Sequence, residues 1–121
     1  MKVVITSQGS NLEDMVDPRF GRCAYFLVVD TDTDSVEAVP NPGADAMGGA
    51  GPMAAQKVSD LGAEAVITGN LGPNAAQSLA ALNVKIFRCQ EGSGKEAVEA
   101  LKAGKLDEMG GATVGQHFGI K

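Results

Sequence analysis

"GPMAAQKVSDLGAEAVITGNLGPNAAQSLAALNVKIF", residues Gly51 to Phe87, contains a local repeat. The unit "GPMAAQKVSDLG" returns after one strand-like segment as "GPNAAQSLAALN". Both units read as helices. Pro52 and Pro73 suit the first helical position, where a missing N–H is no loss. Gly62 and Asn83 suit the left-handed position that ends a helix. Ala54, Val58 and Leu61, and likewise Ala75, Leu79 and Leu82, recur at the spacing of one buried helical face. "EAVITG" and "VKIFRC" then read as short buried strands, so the stretch spells helix, strand, helix, strand.

Toward the N-terminus, "KVVIT" (Lys2 to Thr6) is β-branched and runs into the polar stretch "SQGSNLEDMVDPRFGR". That is a strand followed by a long loop. "AYFLVVD" (Ala24 to Asp30) and "SVEAVP" (Ser35 to Pro40) flank the polar turn "TDTD", which predicts an antiparallel hairpin. Toward the C-terminus, Ser93-Gly94-Lys95-Glu96 fits a capping box that opens a third helix running to Gly104. The expected fold is α/β, a mixed five-stranded sheet with helices packed against it. One domain over residues 1–106 is expected, followed by a flexible Gly-rich tail over 107–121. Parallel connections place each helix start beside the carboxyl end of the preceding strand, where such sheets bind ligands. Three helix N-termini are thus expected along one edge, able to hold an anion without a basic surface.

Composition narrows the function. In 121 residues the formal net charge is -5, and aromatics are 4% with no Trp. Broad binding to nucleic acid or to an anionic membrane needs a basic face, so neither is expected. Any anion has to be bound locally. The first apolar run is shorter than a signal h-region, which leads us to expect a soluble cytoplasmic protein.

Three short motifs do not hold up. Gly49-x-Gly51-x-x-Ala54 matches a dinucleotide fingerprint only superficially, because the strand after its helix ends in "TGN" without the acid that binds ribose. "EGSGKEA" has Gly94-Lys95 but Cys89 and Glu96 at the other positions a P-loop fixes. "DTDTD" lacks the glycine and the glutamate of a calcium loop.

Cys23, Cys89 and His117 are the strong soft or borderline metal ligands. They are too few to close a structural site, yet they suffice to touch a cluster that brings its own bridging ligands. The two cysteines also read as small buried hydrophobes, and His117 as a solvated tail residue. Arg19 and Arg22, in "DPRFGRC", allow two readings as well. They pair with Glu13, Asp14 or Asp17, or they clamp an anion through forked hydrogen bonds.

"VDPRFGRCAYFLVVD", the Gly48 to Phe87 stretch and "EAVEALKAGKL" together resemble the dinitrogenase iron-molybdenum cofactor biosynthesis family, over nearly all of residues Met1 to Leu106. That family includes carriers of nitrogenase cofactor precursors and the orange proteins, which hold a molybdenum-copper sulfide cluster. The resemblance implies a ribonuclease H-like α/β/α fold in its bare-module form. It also implies a noncatalytic protein that stores or hands on a preassembled molybdenum-copper or iron-molybdenum sulfide cluster, with protein partners in cluster assembly or delivery. The family's "FGR" loop maps to Phe20, Gly21 and Arg22, and its Gly-rich turn to Gly48, Gly49, Ala50 and Gly51. Its second helix start maps to Gly69 through Asn74, which includes Asn70, Leu71 and Gly72. Arg19 joins these as an anion contact, and Met47, Met53 and Leu71 as apolar shields. Two alternatives remain: a regulatory or partner-binding module without metal, and a phosphoryl-transfer enzyme or nuclease. The latter needs inward carboxylates on the first strand, where "KVVIT" has none.

Overall fold

The computed structural model describes residues 1–44 and 49–109. Its elements run β1 (Lys2–Ser7), β2 (Tyr25–Asp30), β3 (Val36–Pro40), α1 (Ala50–Asp60), β4 (Ala65–Thr68), α2 (Pro73–Ala81), β5 (Lys85–Arg88), α3 (Gly94–Lys102) and β6 (Asp107–Met109). They form one mixed sheet in the order β3-β2-β1-β4-β5-β6. β1, β4 and β5 are mutually parallel, while β2, β3 and β6 run against their neighbours.

β1 lies between β2 and β4 with helices over both faces of the sheet, and its residues from Val3 to Ser7 are all buried. An unbroken β-branched run is what such a position requires. On one face Val4, Phe26, Val28, Val66 and Ile86 pack with Ala54, Ala55 and Val58 of α1 and with Ala76 and Leu79 of α2. On the other, Val3, Ile5, Leu27, Val29, Ala65 and Ile67 pack with Ala97 and Val98 of α3. The layers are therefore α/β/α. None of the described helices is long and apolar enough to cross a membrane.

The punctuation read from the repeat is present. Gly62 and Asn83 have φ of 79° and 60°, each ending its helix in the left-handed region. Pro73 is the first residue of α2. Pro52 is instead the third residue of α1, because Gly49, at φ 72°, starts that helix two residues earlier than its sequence twin. Pro is still tolerated there, since first-turn N–H groups have no intrahelical acceptor. The capping box of α3 is complete, with Ser93 Oγ accepting from Glu96 N at 3.2 Å and Glu96 Oε1 accepting from Ser93 N at 3.0 Å.

The sheet has six strands rather than five. Asp107–Met109, at the head of the expected tail, pairs antiparallel with β5 through Ile86↔Met109, Phe87↔Glu108 and Arg88↔Asp107. "DEM" carries two exposed acids and one half-buried methionine, too short and too polar for a period-two pattern. Its strand form comes from the backbone groups that β5 offers on its open side.

Candidate functional site: the carboxyl edge of the central strands

β1, β4 and β5 all end at one edge, and the segment from Gln8 to Ala24 is laid across it. Val16 N donates to Gly92 O at 2.9 Å and Asp17 N to Thr6 O at 2.8 Å. Asn70 N donates to Pro18 O at 2.7 Å, and Phe20 N to Asn70 O at 3.1 Å. Thr6 Oγ1 lies 2.8 Å from Asp17 O and 2.9 Å from Thr68 Oγ1, which ties the segment to the ends of β1 and β4 through buried hydroxyls. Gly69 is required by this crossing: a Cβ there would lie 2.7 Å from Pro18 Cα and 2.9 Å from Pro18 Cβ.

The "FGR" turn then meets the helix starts. A Cβ on Gly21 would sit 3.1 Å from Gly51 N, and one on Gly51 would sit 3.1 Å from Ala75 Cβ. Residues 21, 51 and 75 are thus in near contact, and the first turns of α1 and α2 come together beside the arginine loop. Both helices present first-turn N–H groups and the positive end of the macrodipole. The third helix start does not join them. Gly94 N donates to Asp14 O at 3.0 Å, Lys95 N to Leu12 O at 2.9 Å and Glu96 N to Ser93 Oγ, so the chain itself fills the start of α3. Two helix starts, rather than three, are available to a ligand.

The candidate residues separate by burial. Phe20 is 1% exposed, with its ring centroid 6.4 Å from that of Phe26. It anchors the loop in the core, and its own N–H and carbonyl are engaged by Asn70 O and Cys23 Sγ. Leu71, 3% exposed, belongs to the same core, whereas Met53 is 43% exposed on the first turns of α1. Ala50 is buried, Gly49 and Asn74 are exposed, and Gly21, Gly51, Asn70 and Gly72 are intermediate. Met47, Gly48 and His117 lie outside the described residues.

For Arg19 the pairing reading holds. Its Nε lies 3.1 Å from Asp17 Oδ1 and its Nη2 3.1 Å from Asp17 Oδ2, and this carboxylate raises the guanidinium pKa further. The pair uses one edge of an exposed guanidinium and leaves Nη1 on the other edge. Arg22 is exposed and donates from Nη1 to Ala44 O at 3.3 Å.

The cysteines lie on opposite faces of the sheet, Cys23 with Phe20 and Phe26, Cys89 with Ala97 and Val98, and both are free thiols. Cys23 Sγ donates to Phe20 O at 3.5 Å and faces Asn41 Nδ2 at 3.7 Å. Burial, and after it the charge of Asp17, pushes this thiol up to about 12. Cys89 Sγ donates to Glu91 O at 3.2 Å, and burial raises its pKa too. A neutral buried thiol is a poor metal ligand. Among the described residues no group of three or more His, Cys, Asp or Glu is placed to hold a metal ion.

One residue at this edge escaped the sequence reading. Arg88, half-buried at the end of β5, donates from Nε to Gly69 O at 3.2 Å and from Nη2 to Asn70 Oδ1 at 3.1 Å. No sequence signal sets it apart, since β5 also carries a charge, Lys85, at its other end.

The family model described as dinitrogenase iron-molybdenum cofactor matches residues 1–104. The chain belongs to that family. Membership of the dinitrogenase iron-molybdenum cofactor family points to a cofactor-related role. Its fold is close to that of the orange protein from Desulfovibrio gigas, solved in its apo form, with a TM-score of 0.89 and 36% identity over 93% of this chain and 95% of that one. A putative NifB protein from Thermotoga is similar at a TM-score of 0.82 and 40% identity, covering 93% of this chain and 96% of its own. An uncharacterized protein of Methanocaldococcus jannaschii is 26% identical over 112 residues, which are 90% of this chain and 92% of that protein. Of the segments that carried the resemblance in the sequence, the arginine loop and the starts of α1 and α2 meet at the carboxyl edge.

Proposed function

We propose that the chain is a noncatalytic carrier that holds, stores or transfers a preassembled anionic metal-sulfur cluster, of the molybdenum-copper sulfide or iron-molybdenum-sulfur type. The observation that carries this reading is the near contact of Gly21, Gly51 and Ala75, which brings two helix starts up to the arginine loop in a member of a cofactor family. The likeness to an orange protein with an apo form supports it.

The donors present fit such a cargo. Terminal sulfides and oxo groups of a thiometallate cluster are anionic hydrogen-bond acceptors, and backbone N–H groups at helix starts together with guanidinium edges are suited to them. The described residues offer hydrogen-bond donors rather than a ready set of thiolates and imidazoles, so the cluster is gripped by its periphery. Gly49, with its backbone at φ 72° and open space where a side chain would stand, lets a bulky polyanion approach the start of α1. Met53 beside it supplies apolar cover on the same rim.

Anaerobic reconstitution with molybdate, copper, iron and sulfide, followed by metal analysis and visible spectroscopy, tests the reading. A stoichiometric chromophore that stays with the protein through gel filtration is expected. Failure to obtain one with any metal combination overturns it.

A further inference from the structure

We propose that Arg88 is a cluster-binding residue that brings a positive charge unmatched by any described carboxylate to the site, held in place by Asn70. The inference rests on the carrier reading above and goes beyond it by naming the side chain that supplies the charge. Asn70 is the common point of the edge. Its main chain bonds Pro18 and Phe20 on either side of Arg19, in a parallel bridge between Arg19 and Asn70, and its side-chain oxygen receives Arg88. Two arginines are therefore tied to one residue, Arg19 through the backbone and Arg88 through the carboxamide.

Their charges are not equivalent. Arg19 is matched by the buried carboxylate of Asp17, so toward an approaching anion the two act as a dipole, whose pull falls off faster with distance than that of a single charge. Arg88 bonds only neutral acceptors, a carbonyl and a carboxamide, and among the described residues no carboxylate pairs with it. Two of its N–H groups are engaged, one on Nε and one on Nη2, which leaves both hydrogens of Nη1 for a ligand. Partial burial adds to the effect, because a half-buried cation is less screened by solvent than one on an open surface. The bond to Arg88 also occupies Asn70 Oδ1, leaving the carboxamide's N–H donors for the same anion.

The test titrates the protein with tetrathiomolybdate at two salt concentrations and follows its visible absorption. Wild type is compared with Arg88→Ala, Arg88→Gln, Arg88→Lys and a control, Lys85→Ala, which removes a charge from the far end of the same strand. Arg88→Ala and Arg88→Gln are expected to bind about tenfold more weakly or worse, as for the loss of a charge-assisted hydrogen bond, and with a shallower salt dependence. Arg88→Lys should recover part of the affinity and all of the salt dependence, and Lys85→Ala should stay near wild type. Arg88→Gln keeps a donor for the Gly69 carbonyl, so it reads the charge even where Arg88→Ala unfolds. If both neutral variants bind as Lys85→Ala does, or retain the wild-type salt dependence, Arg88 is not a cluster contact and the carrier reading stands without it. If wild type does not bind tetrathiomolybdate, the carrier reading fails for this anion and this assignment falls with it.

Discussion

Asp17 grips Arg19 along one edge, with its own side chain 2% exposed while that of the arginine is 62% exposed. The carboxylate also accepts Arg19 N at 2.9 Å, so both the backbone and the side chain of the arginine are set by one buried acid. Removing the arginine side chain leaves that acid short of partners. Arg19→Ala should lower stability by about 1–3 kcal/mol, mostly through the desolvated carboxylate rather than through screened attraction. Arg22→Ala, on an exposed side chain, should stay within about 0.5 kcal/mol of wild type. Both should weaken cluster retention, so urea unfolding and reconstitution measured in parallel will separate the two arginines.

Gly69 is fixed by the chain that crosses it. Gly69→Ala would set a methyl group 2.7 Å from Pro18 Cα, which forces the backbone of the crossing segment to move. A loss of about 1–3 kcal/mol is expected for such overpacking, together with weakened cluster retention because Arg19 moves with Pro18. Thermal unfolding and reconstitution yield of the one variant read both effects.

Cys23 makes a pH prediction. Its folded pKa is raised from 9.0 to about 12, so the native chain keeps a proton that the unfolded chain releases. The contribution is complete below pH 9 and is lost as the pH rises toward about 12, at up to about 1.4 kcal/mol per pH unit. Unfolding measured at pH 8, 9.5 and 10.5 should fall more steeply for wild type than for Cys23→Ala. At pH 8 a thiol reagent should label Cys23 slowly in the native protein and quickly in urea.

Ser93 tests whether α3 takes part in binding. Its capping box and the bonds that Gly94 N and Lys95 N donate to the Asp14 and Leu12 carbonyls occupy the start of that helix. Ser93→Ala should cost about 1 kcal/mol of stability, read as a lower melting temperature. The reconstituted chromophore should form to the wild-type extent.

The legible parts of this molecule were those written in local periods. The repeat predicted α1, β4, α2 and β5, along with the left-handed ends at Gly62 and Asn83, because helix faces and caps depend on neighbours three or four residues away. The "FGR" loop stood out as a candidate site segment, and in the fold Gly21 abuts Gly51. What stayed hidden depends on distant contacts. Arg88 meets Gly69 and Asn70 across 19 and 18 residues of chain, and nothing around "IFRC" marks it. Phe20 looked like a ligand contact because of its motif, but a phenylalanine in a polar loop had a core to fill. The start of α3 looked open because a capping box says nothing of carbonyls arriving from Leu12 and Asp14.

The segment from Leu12 to Gly21 is moored at short intervals: to α3 at Leu12 and Asp14, to the turn before α3 at Val16, to β1 at Asp17, to the end of β4 at Pro18 and Phe20, and to α1 at Gly21. It works as a ruler rather than a hinge. Its residue count is fixed by anchors spread over several elements, so adding or deleting one residue would shift all later anchors out of step. Arg19, which it carries, and Arg22, which follows it, have fixed roots, and the range of cargo sizes they can meet is set by the length of their own side chains.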